Sequence, residues 1–410
     1  MTTEAAATET TGKFHVWLLI GSGIVASAQI GKAIISLPMM RHDLALGLDL
    51  AGLIVATFAT IGALIGVGAG VVVGRLGVRR SLIGGMGAIA LGNVIGASAS
   101  NELVLLAARI IEGIGFFGAV LAIPTILARV VTRATRDFVM AAWSVYMPTG
   151  IMLMLLVGPL LPMIGWRNLW LANALAACTC GVLLAIYAPA AQNAREPAGR
   201  FIVAVANVIR NPICLALAAA FFAYSCQIFS LAFALPLLLT SAHGVSLGTA
   251  GLLSAMVLAV SAIGHVAAGF LLRAGVPIWA SIAAAFGFFA LSGFAIYGGG
   301  LPPQGVALIA ALALGIGGLA PGAIYAAVPY AAPGPHAVAP AIGLVQQASN
   351  LGQFAGPVVL GLWVQHLGWD AAPAILAPLA LLGLAAAFAV RRSLVVTEMG
   401  APSPVRVRAQ

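Results

Sequence analysis

About twelve apolar runs, each long enough to cross a bilayer and separated by short polar or basic stretches, leave this chain few folds to adopt. Crossing the hydrocarbon core takes about 20 helical residues. The runs fall at residues 15–38, 50–73, 81–99, 103–127, 138–162, 168–188, 212–234, 249–271, 278–298, 305–328, 338–365 and 372–390. Inside a bilayer the backbone has no water to bond, so each run must satisfy its own N–H and C=O groups by coiling into an α-helix. A soluble alternative fails on composition. Of 410 residues, 62% are apolar and 7% charged, too few to clothe a surface that faces water.

The net charge of +9 does not point to nucleic acid, because the basic residues form short clusters between apolar runs instead of one patch. With the N-terminus in the cytoplasm, one side of the membrane holds Arg75, Arg79 and Arg80, then Arg129, Arg133 and Arg136. It also holds Arg195, Arg200 and Arg210, then Arg273, and finally Arg391, Arg392, Arg406 and Arg408. The other side keeps Arg41 and Arg167. Positive loops stay inside, so both termini are expected to be cytoplasmic in a multi-pass protein of a bacterial inner membrane. Met1 to Lys13, with Glu4 and Glu9, lacks the basic region and cleavage site of a signal peptide, so the first run is expected to remain as a membrane helix.

The two halves of the chain repeat. Ala51-Gly52-Leu53 leads to Gly70 and then Arg75-Leu76-Gly77; Ala250-Gly251-Leu252 leads at the same offset to Gly269 and Arg273-Ala274-Gly275. Gly113-Ile-Gly115 recurs as Gly315-Ile-Gly317, and Gly158-Pro159 as Gly356-Pro357. The expected fold class is an all-α membrane protein with twelve transmembrane helices in two pseudo-symmetric six-helix bundles. Its divisions are a tail over 1–14, a bundle over 15–189, a central cytoplasmic loop over 190–211, a second bundle over 212–391 and a tail over 392–410. Within the loop, Phe201 to Arg210 reads as a short amphipathic helix on the membrane surface. Duplicated halves of this length mark a secondary transporter whose site lies between them near mid-membrane. Pairs such as Gly66/Gly70 and Gly264/Ala268 would let helix backbones approach closely.

At these residues the chain resembles the major facilitator superfamily. Gly70-Val-Val-Val-Gly74-Arg75-Leu76-Gly77-Val78-Arg79-Arg80 is similar to its signature loop between helices 2 and 3. Gly74 stands where the family usually has an Asp for a charge relay, which leaves the arginines to bind helix C-termini or anionic lipid. Arg109-Ile-Ile-Glu112-Gly113-Ile-Gly115 resembles the helix 4 motif. Gly150 through Gly158-Pro159, then Gly165-Trp166-Arg167, resembles the helix 5 motif and its exit. Met140 to Gly150 is also similar to the cyanate-permease-like branch. The resemblance covers residues 14 to 392 and implies alternating access, with helices 1, 4, 7 and 10 lining a central cavity.

Ionisable side chains in a membrane interior are costly and become the first functional candidates. Lys32 falls in a stripe with Ser22, Gln29 and Ser36 at helical spacing, which either faces a cavity or lets the lysine snorkel outward. Arg109 and Glu112, three apart, either form a structural ion pair or divide the work, with Arg109 and Lys32 binding an anion and Glu112 taking a proton. Glu112 is the only carboxylate within any of the runs as drawn. His265 either titrates or bonds a neighbouring helix. Tyr224, Gln227 and Tyr325 are favoured as ligands because the resemblance places their helices on the cavity. Gln346, Asn350 and Gln353, with Gln347 beside them, form a stripe for substrate contact or for bonds between helices. Trp143 and Tyr146 either wall the site or pack, and Trp166 and Trp170 read as belt residues at the interface. Pro148, Pro159, Pro321 and Pro357 mark points of bending. Cys178, Cys180, Cys214 and Cys226 lie in apolar runs without metal or redox spacing and read as buried structural thiols.

The sequence therefore points to a secondary active transporter for a small anionic or polar organic solute, coupled to a proton or another ion and surrounded by lipid. A monomer is expected. The rivals are an efflux pump for apolar compounds and a sensor that kept a transporter fold, against which the short tail from Ser393 to Gln410 argues. With no nucleophile–base motif, metal-ligand spacing or nucleotide loop, neither an enzyme, a cofactor nor a self-contained ATP-driven pump is expected.

Overall fold

The fold is a computed structural model that describes residues 3–46, 48–188 and 198–400. The N half comprises α1 (Thr3–Leu44), α2 (Leu48–Leu76), α3 (Val78–Ala97), α4 (Glu102–Val130), α5 (Thr135–Val157) and α6 (Trp166–Tyr187). A linker helix, Ala198–Arg210, leads to the C half. There follow α7 (Pro212–Ser241), α8 (Leu247–Arg273), α9 (Ile278–Tyr297), α10 (Pro303–Ala331), α11 (Val338–Leu367) and α12 (Pro373–Gly400). Among the described residues, ten helices are long and apolar enough by themselves to cross a membrane. α2 and α11 run for 29 and 30 residues, long enough to cross as well. Gln346, Gln347, Asn350 and Gln353 put a polar stripe along α11, and α2 and α11 meet each other between the halves.

The duplication is written into the packing. In the N half α1 lies on α5 and α6, α3 on α4 and α6, and α2 on α4. Six helices on, α7 lies on α11 and α12, α9 on α10 and α12, and α8 on α10. The turns repeat as well. Gly77 and Gly275 close α2 and α8 with φ of 88° and 89°, a left-handed conformation that a Cβ would strain. Large apolar side chains such as Leu91, Leu175, Leu252, Ile263, Leu291 and Leu381 stay exposed, as lipid-facing residues do.

Proline explains two breaks. Pro148 cannot donate to Ser144, four residues back, and α5 is interrupted between Trp143 and Tyr146. Pro321 cannot donate to Gly317, and α10 is interrupted between Gly317 and Leu319. Pro159 lies in a 3-10 turn, Gly158–Leu160, at the end of α5, whereas Pro357 sits within an unbroken α11.

The halves meet on the face that carries the linker helix, called here the terminal face. Gly62, Gly66 and Gly70 present a bare strip of α2 to α11. A Cβ at Gly66 would overlap Gln347, and one at Gly70 would come within 3.1 Å of the Ala339 carbonyl oxygen. Gln347 Nε2 donates to the Ala63 carbonyl at 2.7 Å. The other seam joins α5 to α8 and α10. The Arg273 guanidinium lies 4.0 Å from the centre of the Phe138 ring, and the Tyr330 hydroxyl donates to Asp137 at 2.7 Å. Small residues permit this approach where no hydrophobic effect drives helices together.

Candidate functional site

Lys32, Arg109 and Glu112 converge inside the N half and are fully buried. The helical spacing of the α1 stripe turns Gln29 and Lys32 inward, and the three-residue step on α4 puts Arg109 and Glu112 on one face. Lys32 Nζ donates to Glu112 Oε1 at 2.6 Å, and Arg109 Nη1 donates to Glu112 Oε2 at 2.5 Å. Arg109 also donates to the carbonyls of Gln29, at 3.1 Å, and Ile54, at 3.2 Å. Lys32 further donates to Asn93 Oδ1 at 2.5 Å and sits 3.7 Å from the centre of the Trp170 ring. A string of amides runs on from there. Asn93 Nδ2 donates to Gln29 Oε1 at 2.8 Å, and Gln29 Nε2 to Asn173 Oδ1 at 3.2 Å. Every amide oxygen in the string faces the Lys32 end, which favours a cation there. With all three side chains ionised, the described residues of the centre carry one surplus positive charge.

A second cluster lies between the halves. Trp143 stacks on Tyr146 with centroids 4.2 Å apart, and its edge meets Tyr325 across the seam at 6.5 Å. The Tyr325 hydroxyl donates to Gln346 at 2.6 Å, and Asn350 Nδ2 to the Gln346 carbonyl at 2.7 Å. His265 bridges the halves: Nδ1 lies 3.1 Å from Ser144 Oγ on α5, and Nε2 lies 3.1 Å from the Tyr224 hydroxyl. Ser144 spends its only proton on the Ala141 carbonyl at 2.7 Å. It can therefore only accept from His265, so Nδ1 carries the hydrogen and Nε2 accepts from Tyr224.

The expected residues thus fall into two groups. Gln29, Lys32, Arg109 and Glu112 form the ionic centre within one half; Tyr146, Tyr224, His265, Tyr325, Gln346 and Asn350 form the layer between halves. Gln227 joins neither, donating to the Leu376 carbonyl of α12 at 2.8 Å. Gln353 bonds Ser349 within α11. In the signature loop, Arg79 donates at 2.5 Å to the Ala185 carbonyl in the last turn of α6, while Arg75 and Arg80 are exposed. Three readings are corrected. Lys32 does not snorkel, because Glu112 and Asn93 hold its ammonium in the interior. Trp166 and Trp170 are not belt residues: both are buried, Trp166 donating to Asp43 at 2.8 Å and Trp170 lying beneath Lys32. Cys178 is exposed and Cys180 half-buried against the core; only Cys214 and Cys226 are buried. Sequence reasoning missed Asn93, Asn173 and Ser144. The two asparagines were legible as isolated amides in apolar runs, whereas Ser144 offered no signal.

Comparison with known proteins gives this arrangement a lineage. The sequence matches the profile of the Major Facilitator Superfamily over residues 19–336 and 217–406. A search of curated proteins returned no match. Among solved structures, the human organic anion transporter TETRAN superposes with a TM-score of 0.76 at 16% identity, covering 92% of this chain and 99% of that one. The E. coli fucose:proton symporter FucP gives 0.76 at 14%, covering 93% and 99%. The proton:xylose symporter XylE gives 0.71 at 15%, covering 94% and 96%. At these identities the likeness is one of fold, and it extends over both halves. With the family match over most of its length, the chain belongs to the major facilitator superfamily and is a membrane transporter, not an enzyme.

Proposed function

We propose that this protein moves a small polar organic solute, anionic by preference, together with a proton. It would alternate between the state described above, closed at the terminal face, and one closed at the opposite face. Both termini would lie in the cytoplasm of a bacterial cell, on the side rich in arginine. The observation that carries the reading is a buried centre of two cations and one carboxylate. Ions held in a membrane interior are costly unless they do something, and a surplus positive charge favours an anion. Glu112 is the one carboxylate that is fully buried among the described residues. Similar folds belong to two proton:sugar symporters and an organic anion transporter.

In this reading the solute enters between the halves and meets Tyr146, Tyr325, Gln346 and Asn350, with Tyr224 and His265 beneath. The ionic centre on α1 and α4 supplies the charge. Opening the terminal face requires α2 to leave α11 and α5 to leave α8, which breaks the bond from His265 to Ser144. His265 would then be the second group able to follow the proton. Efflux of apolar compounds is a rival with one observation behind it, a cavity of about 140 Å³ in the C half lined by Leu231, Leu235, Val257 and Leu314.

Thermal stabilisation of the purified protein by small anions, neutral polar solutes and cationic drugs tests the choice, since binding to the native state raises the melting temperature. Stabilisation by an anion, lost in Lys32→Met and in Arg109→Met, is expected, together with proton movement into proteoliposomes loaded with a pH dye. Stabilisation by apolar or cationic compounds alone, unchanged in both variants, overturns the reading in favour of efflux.

A further inference from the structure

We propose that the ionic centre works by cycling between net charge +1 and 0, and that the proton it exchanges is carried by the Lys32 ammonium while Glu112 stays ionised. This rests on the proton-coupled reading above and fixes where the proton sits. Among the described residues the centre holds two cations and one carboxylate. Arg109 and Glu112 come from α4 and Lys32 from α1. The other elements around them offer Asn93 from α3, Met154 from α5, Trp170 and Asn173 from α6, and the Ile54 carbonyl from α2. None of these carries a charge. The nearest other ion pair among the described residues, Asp43 with Arg167, lies at the far end of α1, about 16 Å beyond Lys32.

Arg109 keeps its charge at any physiological pH. Two moves are then open. Adding a proton to Glu112 takes the centre from +1 to +2. Removing one from Lys32 takes it to 0. The cost of holding charge in a poorly polarisable medium rises with its square, so +2 costs about four times what +1 does, while 0 removes it. Hydrogen bonding agrees. Each Glu112 oxygen already accepts an N–H from a cation, so an added proton would weaken two charge-assisted bonds at once. A neutral Lys32 amine keeps two N–H groups, enough for Glu112 Oε1 and Asn93 Oδ1, and surrenders one ion pair and its cation–π contact with Trp170, where a protonated Glu112 would surrender two ion pairs.

The charge cycle then selects the solute. The empty, deprotonated centre is neutral; the protonated centre is +1; the protonated centre with a monoanion is neutral again. The half-loaded state is the one a bilayer interior penalises. The halves therefore reorient with both passengers or with neither. On release, the Lys32 proton passes to water on the open side as the anion leaves.

Infrared difference spectra of the purified protein between about pH 5 and about pH 9, with glutamate labelled at the side-chain carboxyl, read the carrier directly. No carboxylic acid band that disappears in Glu112→Gln is expected at either pH. Such a band overturns the proposal. Because Glu112→Gln leaves two cations with a weaker partner and can fail to fold, Lys32→Arg provides a second test that preserves charge and both bonds. It should release one proton per molecule fewer than the wild type over the same interval, and an equal count overturns the proposal. Proton uptake into proteoliposomes is scored separately. Its absence, with Lys32 titrating, counts against the transport reading and leaves the identity of the titrating group standing.

Discussion

Immediately before Gly113-Ile-Gly115 in the N half stands Glu112, bound by two cations. Immediately before Gly315-Ile-Gly317 in the C half stands Leu314, on the wall of an apolar cavity of about 140 Å³. The outer corners show the same contrast. Trp166, following Gly165, donates to Asp43 at the end of α1, and Arg167 joins the carboxylate at 3.1 Å. Trp369, following Gly368, donates at 3.2 Å to Ser241 at the end of α7, a neutral partner. The register of those corners places Ser230, a buried hydroxyl without a hydrogen-bond partner, where the N half has Lys32. One backbone plan thus hosts two chemistries. Glycines, helix ends and packing pairs are common to both halves, while all the fully buried charge among the described residues belongs to one. Backbone packing in lipid depends on small residues at fixed places, which duplication preserves. A buried ion is costly unless it has a partner, so a second ionic centre persists only if it does work.

The largest effect should come from erasing that difference. Glu112→Leu installs the C-half residue in the N half and takes from Lys32 and Arg109 the carboxylate they share. The expected loss is about 3–5 kcal/mol of stability. Leu314→Met, at the matching place, keeps volume and should cost less than about 1.5 kcal/mol. Adding Lys32→Met to Glu112→Leu removes one stranded cation and should recover part of the loss, a coupling that a double-mutant cycle in thermal unfolding measures. Equal effects of Glu112→Leu and Leu314→Met would end the contrast drawn between the halves.

The two seams differ in a second way. Across α2 and α11 a Cβ at Gly66 would meet the Cβ and backbone of Gln347, which have little freedom to move. Across α5 and α8 a Cβ at Gly269 would lie 3.1 Å from the edge of the Phe138 ring, which can swing. Gly66→Leu should cost the closed state about 1–3 kcal/mol, and Gly269→Ala less. Maleimide labelling of Ala339→Cys from the terminal face, in a background without the natural cysteines, should rise with Gly66→Leu and change little with Gly269→Ala. Unchanged labelling in both would mean that the glycine strip does not set the closure.

No larger than that of Gly66→Leu is the effect of Ser144→Ala, which leaves the His265 Nδ1–H buried without an acceptor. An unsatisfied donor costs about 1–3 kcal/mol, here only while the terminal face is closed. The same labelling should report a modest opening, and Ser144→Thr, which keeps the hydroxyl, should restore the wild-type level.

Much of this architecture was legible in the chain. Run length against bilayer thickness predicts the helices, arginine placement anticipates the terminal face, and paired glycine motifs predict the duplication. The bends at Pro148 and Pro321 follow from their missing N–H. What the sequence could not show is which ionisable groups meet. Spacing along α4 says that Arg109 and Glu112 can pair, but nothing along α1 says that Lys32 turns to Glu112 and not to a cavity. Trp170 looked like a belt residue because a tryptophan at the end of an apolar run has that place in most membrane helices. Its position beneath Lys32 depends on how α6 is rotated against α1 and α3, a tertiary fact. Ser144 is one of many serines, and only the crossing of α5 with α8 makes it the acceptor for His265.

The corners offer the most delicate test, because the tryptophan of one donates to the carboxylate of Asp43 and that of the other to the hydroxyl of Ser241. The Trp166 indole N–H, bonded to Asp43, holds that carboxyl below the usual aspartate range, with Arg167 and His42 adding to the effect. A carboxyl whose folded-state pKa is depressed stabilises the fold at pH values above its ordinary pKa of about 4. The contribution is lost as pH falls through the depressed value, when the folded state must take up the proton it had resisted. Wild-type protein should therefore lose stability below about pH 4 more steeply than Asp43→Asn, whose corner has nothing to protonate. Ser241→Ala, the matching change in the C half, should leave the acid slope as it was. The corner faces water, so the difference should be small and should shrink further in high salt. An acid slope unchanged by Asp43→Asn would mean that the corner is held by the shape of the Gly165 turn and the burial of Trp166, as its neutral counterpart at Trp369 must be, and that its charge is incidental.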